Sequence, residues 1–145
     1  MAIKRMKIGI MSPADMRART IAIAKGEYVP KPGEPKVWFP SIESVAQLLS
    51  EGNREMLRAI AAAQPASIAE AAKVVDRKPG NLSRTLNAMA RFGIVKLIPG
   101  SSATQQRGRN PVKPIVQATD FDIKTYSLGA MSKTKGEREQ VADAG

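Results

Sequence analysis

The chain has 145 residues, of which 43% are hydrophobic, which is enough for one domain with appendages around a hydrophobic core. It has no cysteine and no histidine, which excludes disulfides, thiolate metal sites and histidine-based acid–base catalysis. The net charge of +10 favours a polyanionic partner, and the lack of a signal peptide or a ~20-residue apolar run predicts a cytoplasmic protein with no membrane contact.

Residues 1–40 predict a basic N-terminal arm with one helix and a Pro-rich linker. A short strand is expected at residues 6–11. The Ser-Pro-Ala-Asp sequence at residues 12–15 is a helix start, because it combines a cap, a proline at the first helical position and an early acid. This helix should run to about Lys25. Two of its arginines are expected to face solvent or phosphate: Arg17 and Arg19.

Trp38 and Phe39 follow the Pro-rich linker and are candidates for a partner interface, since tryptophan is common at interface hot spots. The alternative is that they fasten the arm onto the rest of the chain or onto a dimer mate.

Three amphipathic helices are predicted next, at residues 42–49, 54–63 and 68–75. Asn53 is the expected cap of the second helix. Ser67 and Glu70 form a capping box at the start of the third.

A fourth helix should begin at Pro79 and end before Gly93. Its apolar stripe is Leu82, Leu86 and Met89. The opposite face carries arginine, asparagine and glycine, which suits a DNA major groove because Arg pairs with guanine and Asn with adenine. The alternative is an ordinary solvated helix face. The predicted DNA-contacting residues here are Lys78, Gly80, Asn81, Ser83, Arg84, Asn87 and Arg91, with Ser83 and Arg91 on the phosphate backbone.

Residues 94–98 and 112–117 predict two strands joined by a polar loop. Arg107 and Arg109 in that loop are predicted to follow phosphates or to enter a narrow minor groove. The alternative is a connector whose arginines only add charge. Residues 121–126 alternate like a third strand, and residues 127–145 are expected to be disordered.

Three segments carry a resemblance: Ser-Ile-Ala-Glu-Ala-Ala at 67–72, Asn-Leu-Ser-Arg-Thr-Leu at 81–86, and Phe-Gly-Ile-Val at 92–95. Together they resemble the winged helix-turn-helix of MarR-like bacterial and archaeal regulators. The span from about Lys7 to Tyr126 is similar to small regulators often encoded as the antitoxin half of a toxin–antitoxin pair. One departure is Lys78 at the cap of the recognition helix, where Ser or Thr is usual.

The predicted fold class is therefore α+β: a mainly α winged helix-turn-helix domain over residues 41–126, with a three-helix core and a β-hairpin wing, preceded by the arm. Nine Lys or Arg against two acids between residues 67 and 113 place positive charge on the predicted reading head.

These features predict a sequence-specific regulator that binds double-stranded DNA, and the resemblance implies an antitoxin-type autorepressor. The alternative is a protein-interaction module that neutralises a toxin protein, with DNA binding secondary. We expect a homodimer, because one winged module reads only a short half-site. No enzymatic activity, cofactor or metal is expected.

Overall fold

The computed structural model of the protein describes residues 4–100 and 111–132. The described elements, in chain order, are β1 (Arg5–Ile10), α1 (Pro13–Ala24), β2 (Val37–Phe39), α2 (Ile42–Leu48), α3 (Glu51–Ala63), α4 (Ile68–Val75), α5 (Pro79–Arg91), β3 (Val95–Pro99), β4 (Val112–Val116), β5 (Asp120–Thr125) and α6 (Leu128–Ser132). The α+β prediction is confirmed. Of the helices in these residues, none has the length and apolar character that a membrane crossing requires.

The chain forms two compact units. Each is made of two separate stretches of sequence, whereas the predicted domains were continuous stretches. The helical unit consists of Met1–Met6 and Val45–Phe121, and the sheet unit of Lys7–Ser44 and Asp122–Gly145. The predicted arm is thus only part of the sheet unit, because the chain returns to it after the helical unit.

A three-stranded sheet has the strand order β2-β1-β5, and most of its residues belong to the sheet unit. β1 and β2 run parallel, with Ile8 beside Val37 and Ile10 beside Phe39. The Lys4 carbonyl accepts from the Thr119 amide, and the Ile10 carbonyl accepts from the Tyr126 amide. Because both strands advance in the same direction between these bonds, β5 is also parallel to β1. The predicted third strand therefore exists, but it pairs with β1.

Helix α1 begins and ends as its sequence predicts. The Ser12 hydroxyl accepts a 3.1 Å hydrogen bond from the Asp15 amide, and Pro13 is the first helical residue. Gly26 follows the helix with a φ of 76°, a conformation that glycine adopts without steric cost. The helix packs over a cluster of Met11, Tyr28 and Met131 through Met16, Ala22 and Ile23.

The prediction of disorder from residue 127 onward is wrong for its first part. Residues 128–132 form α6, and Met131 is buried. The Leu128 amide donates to the Asp15 carboxylate at 3.3 Å, and the Lys31 ammonium donates to the Met131 carbonyl at 3.0 Å. These partners lie about a hundred residues away, so local periodicity does not indicate them. The rest of the predicted tail, residues 133–145, lies outside the described residues.

The helical unit contains α3, α4 and α5, followed by the antiparallel hairpin of β3 and β4. Leu82, Leu86 and Met89 are fully buried, which confirms the predicted stripe of α5. The other buried hydrophobic residues of this unit are Val45, Leu49, Met56, Leu57, Ile60, Ala71, Ala72, Ile94, Val95 and Ala118. Ile42, predicted on the apolar face of α2, is instead exposed.

The predicted cap of α3 is wrong by three residues. Ser50 is the cap, and its hydroxyl accepts from the Asn53 amide at 3.2 Å. The helix begins at Glu51, because the serine hydroxyl satisfies an amide of the first turn and leaves the Asn53 side chain free for other bonds. Ser67 caps α4 as predicted, but the Glu70 carboxylate accepts from the Ala66 amide instead of the cap residue's own amide.

Candidate nucleic-acid interface

Helix α5 presents a polar face on the side opposite its buried stripe. It packs against α4 and β3 through that stripe. Five of the predicted DNA-contacting residues are exposed on the helix: Gly80, Asn81, Arg84, Asn87 and Arg91. Ser83 is half-buried on the flank. The structure therefore brings the predicted base-reading residues together on one surface.

The N-terminus of α5 differs from those of α1, α3 and α4. Those three helices begin with a serine whose hydroxyl accepts an amide hydrogen bond. Lys78 occupies the same position in α5 with extended backbone angles and makes no side-chain capping bond. Pro79 removes one orphan amide, and the amides of Gly80 and Asn81 have no cap. Amides and a lysine at a helix N-terminus are suited to a phosphate group.

The Asn87 side chain turns back along the helix in this structure. Its Nδ2 donates to the Ser83 carbonyl at 2.8 Å and lies 3.3 Å from the Ser83 hydroxyl. A bidentate contact to adenine needs both an amide donor and the amide oxygen directed outward. Asn87 must therefore rotate before it can read a base. At Asn81 the main-chain carbonyl accepts from the Thr85 hydroxyl at 3.2 Å, a bond that does not use the Asn81 side chain.

The turn before α5 is anchored by Arg77, which is not among the residues predicted from the sequence. The Arg77 guanidinium donates to Asn53 Oδ1 at 2.9 Å, and Asn53 Nδ2 donates to the Leu48 carbonyl at 2.9 Å. Asp76, with a φ of 54°, ends α4 and directs the chain into this turn. Arg77 therefore positions the start of α5 from the start of α3. The two bonded residues are 24 positions apart, so local periodicity could not reveal the link.

The hairpin adds two further lysines that are not among the predicted residues. Lys96 is directly opposite Ile115, and Lys113 is opposite Ile98. Directly opposite residues share a face, so both exposed lysines lie on the same side of the hairpin. Alternation along the two predicted strands was the signal that could have found them. Arg107 and Arg109, predicted at the hairpin tip, lie outside the described residues.

The charge of this region has one sign over a long stretch. From Arg77 to Thr119 the sequence contains no Asp or Glu and eight Lys or Arg. The basic residues are Arg77, Lys78, Arg84, Arg91, Lys96, Arg107, Arg109 and Lys113. We call this stretch the acid-free segment, and its field attracts phosphate without local carboxylates to compete.

The HVO_A0114 family profile matches residues 48–121, just over half of the chain. The chain belongs to the HVO_A0114 family. The matched segment contains α3, α4, α5 and both hairpin strands, and thus every candidate DNA-contacting residue. No curated protein matches the chain.

Trp38 and Phe39, the predicted partner interface, lie outside the HVO_A0114 segment and are packed within the chain. Phe39 is only 1% exposed. The Trp38 ring meets Tyr126 edge-on, with the ring centroids 5.2 Å apart. It also covers Gly9, where an added Cβ would clash with the ring. Phe39 is therefore buried within its own unit, whereas Trp38 is half-buried there.

Arg19 also lies outside the HVO_A0114 segment, and its predicted orientation toward solvent or phosphate is wrong. Its guanidinium forms a 3.0 Å ion pair with Glu34, and the two side chains are 11% and 9% exposed. It also lies 5.1 Å from the centroid of the Trp38 ring. The Pro-rich linker folds back against α1 and supplies Glu34, which helix periodicity could not predict.

Proposed function

We propose that the protein is a sequence-specific regulator that binds double-stranded DNA, with α3, α4, α5 and the β3–β4 hairpin acting as a winged helix-turn-helix. The observation that carries this proposal is the exposed Arg and Asn face of α5, opposite a fully buried stripe and within the acid-free segment. A solvated face without function would be expected to mix both signs of charge, as surface helices usually do.

In this proposal α5 is the recognition helix and enters the major groove with its N-terminal half. Arg84 pairs with a guanine and Asn81 with a neighbouring base edge, because both side chains extend from the exposed face. Gly80 lets the helix approach closely, since nothing lies within 4 Å of an added Cβ there. Asn87 contributes after its amide leaves Ser83.

The remaining polar residues position the duplex rather than read it. Lys78 and the uncapped amides of α5 hold one phosphate, and Ser83 and Arg91 contact the backbone along the helix. On the hairpin, Lys96 and Lys113 add charge beside the groove, and Arg107 and Arg109 act as the tip of the wing. Interactions of this kind raise affinity for all sequences alike.

The biological setting follows from the resemblance to MarR-like regulators of antitoxin type. This resemblance supports a cytoplasmic homodimer that represses its own promoter and also binds a toxin protein. Co-purification of the protein with the product of the adjacent reading frame tests the second role. Deleting the gene tests self-repression, because the promoter should then become more active.

The test of DNA recognition is selection of bound duplexes from a random pool, followed by competition with a scrambled duplex of equal length and composition. We expect an enriched site with two related half-sites, bound at least about 10³-fold more tightly than the scrambled duplex. A pool that shows no enrichment, with equal affinity for the scrambled duplex, would contradict the proposal.

A further inference from the structure

The sheet unit ends at an open strand edge. In the described sheet β5 is an outer strand, six residues long, whose inner neighbour is β1. The Tyr126 amide donates to the Ile10 carbonyl, which fixes the side to which each β5 peptide turns. In a parallel pair, alternate residues face the neighbour, so Asp122 and Lys124 direct their peptide groups to β1. Ile123 and Thr125 direct theirs outward.

Two other described edge strands, β2 and β4, are protected in ways that β5 is not. β2 is only three residues long, and β4 carries Pro114 at its centre. Short strands and edge prolines prevent pairing with another chain. β5 has neither feature, and its Ile123 side chain is 48% exposed.

We propose that β5 pairs antiparallel with β5 of a second copy of this chain, with the two-fold axis at Ile123. In this register Ile123 meets Ile123 of the second copy through the outward peptide groups of both strands. Asp122 lies opposite Lys124 of the second copy, and Lys124 lies opposite its Asp122. The surface is therefore complementary to itself, as a two-fold interface requires. This proposal deepens the homodimer part of the proposed function.

The two charges select one register among the neighbouring ones. A two-fold axis at Asp122 would place two carboxylates opposite each other, and an axis at Lys124 would place two ammonium groups opposite each other. Like charges directly across strands are destabilising, and opposite charges are stabilising. An axis at Asp122 would also place Asp120 opposite Lys124, but beside the two facing carboxylates. Of these registers, the one at Ile123 alone gives two attractive pairs and no like-charge pair.

The groups that would pair are available. Among the described residues, Arg19 and Glu34 form the ion pair that lies within 4 Å. The Asp122 carboxylate therefore forms no ion pair with a described residue. The Lys124 ammonium lies 5.6 Å from the Tyr126 ring centroid, on the same face as Asp122. A cleft of about 380 Å³, lined by Lys7, Gly33, Pro35 and Tyr126 as well as Asp122 and Lys124, leaves room beside both charges.

The interface is small. A six-residue strand pair with one exposed isoleucine falls at the low end of specific interfaces. We therefore expect a dissociation constant on the order of micromolar, which two half-sites on one duplex would strengthen by holding both copies together.

The experiment is sedimentation of the full chain and of charge-reversed variants. Asp122→Lys and Lys124→Asp each turn both attractive pairs into repulsive ones and should raise the dimer dissociation constant roughly tenfold or more. The double variant Asp122→Lys with Lys124→Asp restores two attractive pairs and should dimerise like the wild type. An equimolar mixture of the two single variants should form a heterodimer, while each alone stays monomeric.

Ile123→Lys is the second test, because it places two ammonium groups at the axis without touching the Asp122–Lys124 pairs. It should also give a monomer, and circular dichroism checks that each variant keeps its fold. A wild-type monomer at tens of micromolar would overturn the proposal, as would single variants that dimerise normally or a mixture that forms no heterodimer. Binding of DNA that carries a single half-site is measured separately. The monomeric variants should keep this binding. Failure of the wild type to bind a half-site would count against DNA recognition and not against the β5 interface.

Discussion

Arg77 and Asn53 are joined by a 2.9 Å hydrogen bond between the guanidinium and the side-chain oxygen. The bond links the turn that precedes α5 to the first turn of α3. Arg77, next to the proposed recognition helix, is thus a positioning residue, while its exposed neighbour Lys78 is the residue proposed to hold a phosphate.

Arg77→Ala should lower the free energy of unfolding by about 1–3 kcal/mol, because it leaves the half-buried Asn53 oxygen without its donor. DNA affinity should fall on all sequences, since the start of α5 is no longer anchored. Urea denaturation measures the first effect. Lys78→Ala is the control and should change stability by less than about 0.5 kcal/mol. If Arg77→Ala is fully stable and only reduces the salt dependence of binding, Arg77 is a phosphate contact.

Glu34 makes the stability of the protein sensitive to acid. Burial raises the pKa of its carboxyl, but hydrogen bonds from Tyr28 and Arg19 and the charge of Arg19 outweigh this and hold the pKa below its ordinary value of 4.5. A carboxyl with a lowered folded-state pKa stabilises the fold above its unfolded-state pKa and loses that contribution as pH falls through the folded-state value.

Glu34→Gln should therefore lower the melting temperature near neutral pH, and the difference from wild type should shrink as pH falls below about 4.5. Thermal denaturation at a series of pH values measures this. Glu27→Gln, at an exposed carboxylate on the same segment, is the matched control. A Glu34→Gln deficit that stays constant down to low pH would mean that the ion pair contributes nothing through protonation.

Sequence reasoning succeeded where the signal is local. The stripe of α5 and the Ser12 cap of α1 follow from spacing within one or two helical turns. It failed where a partner lies far along the chain: α6 depends on Asp15, and the burial of Arg19 depends on Glu34. The candidate site was predictable as a set of exposed residues because its face is the complement of a periodic stripe. The Arg77–Asn53 bond and the bond from Asn87 to the Ser83 carbonyl could not be predicted, since both depend on side-chain rotamers.

Gly80→Ala separates stability from recognition. An added Cβ at Gly80 meets nothing within 4 Å, and alanine favours the helix by up to about 1 kcal/mol. The variant should thus be at least as stable as the wild type but bind its selected DNA site more weakly, because the methyl group enters the gap between helix and bases. Gly129→Ala, in α6, is the matched control, because its added Cβ also meets nothing within 4 Å, and it should leave binding unchanged. Unaltered binding by Gly80→Ala would show that α5 does not approach the bases at this position.

The hairpin tip should contribute affinity without specificity. Changing Arg107 and Arg109 together to Ala should flatten the slope of log affinity against log salt by roughly one unit for each phosphate that the variant no longer neutralises. The ratio of affinities for the selected and scrambled duplexes should change little. Titrations at several salt concentrations measure both quantities, and an unchanged slope with unchanged affinity would remove the wing from the DNA interface.

Arg84→Ala is the most direct measurement of the central claim that α5 reads DNA sequence. Its matched control is Arg58→Ala, which removes an exposed helical arginine from α3. On the selected duplex, Arg84→Ala should cost about 1–3 kcal/mol and relax the base preference at one position in each half-site, while Arg58→Ala binds like the wild type. Equal losses for Arg84→Ala on selected and scrambled duplexes, with no change in base preference, would contradict the account and reduce Arg84 to a backbone contact.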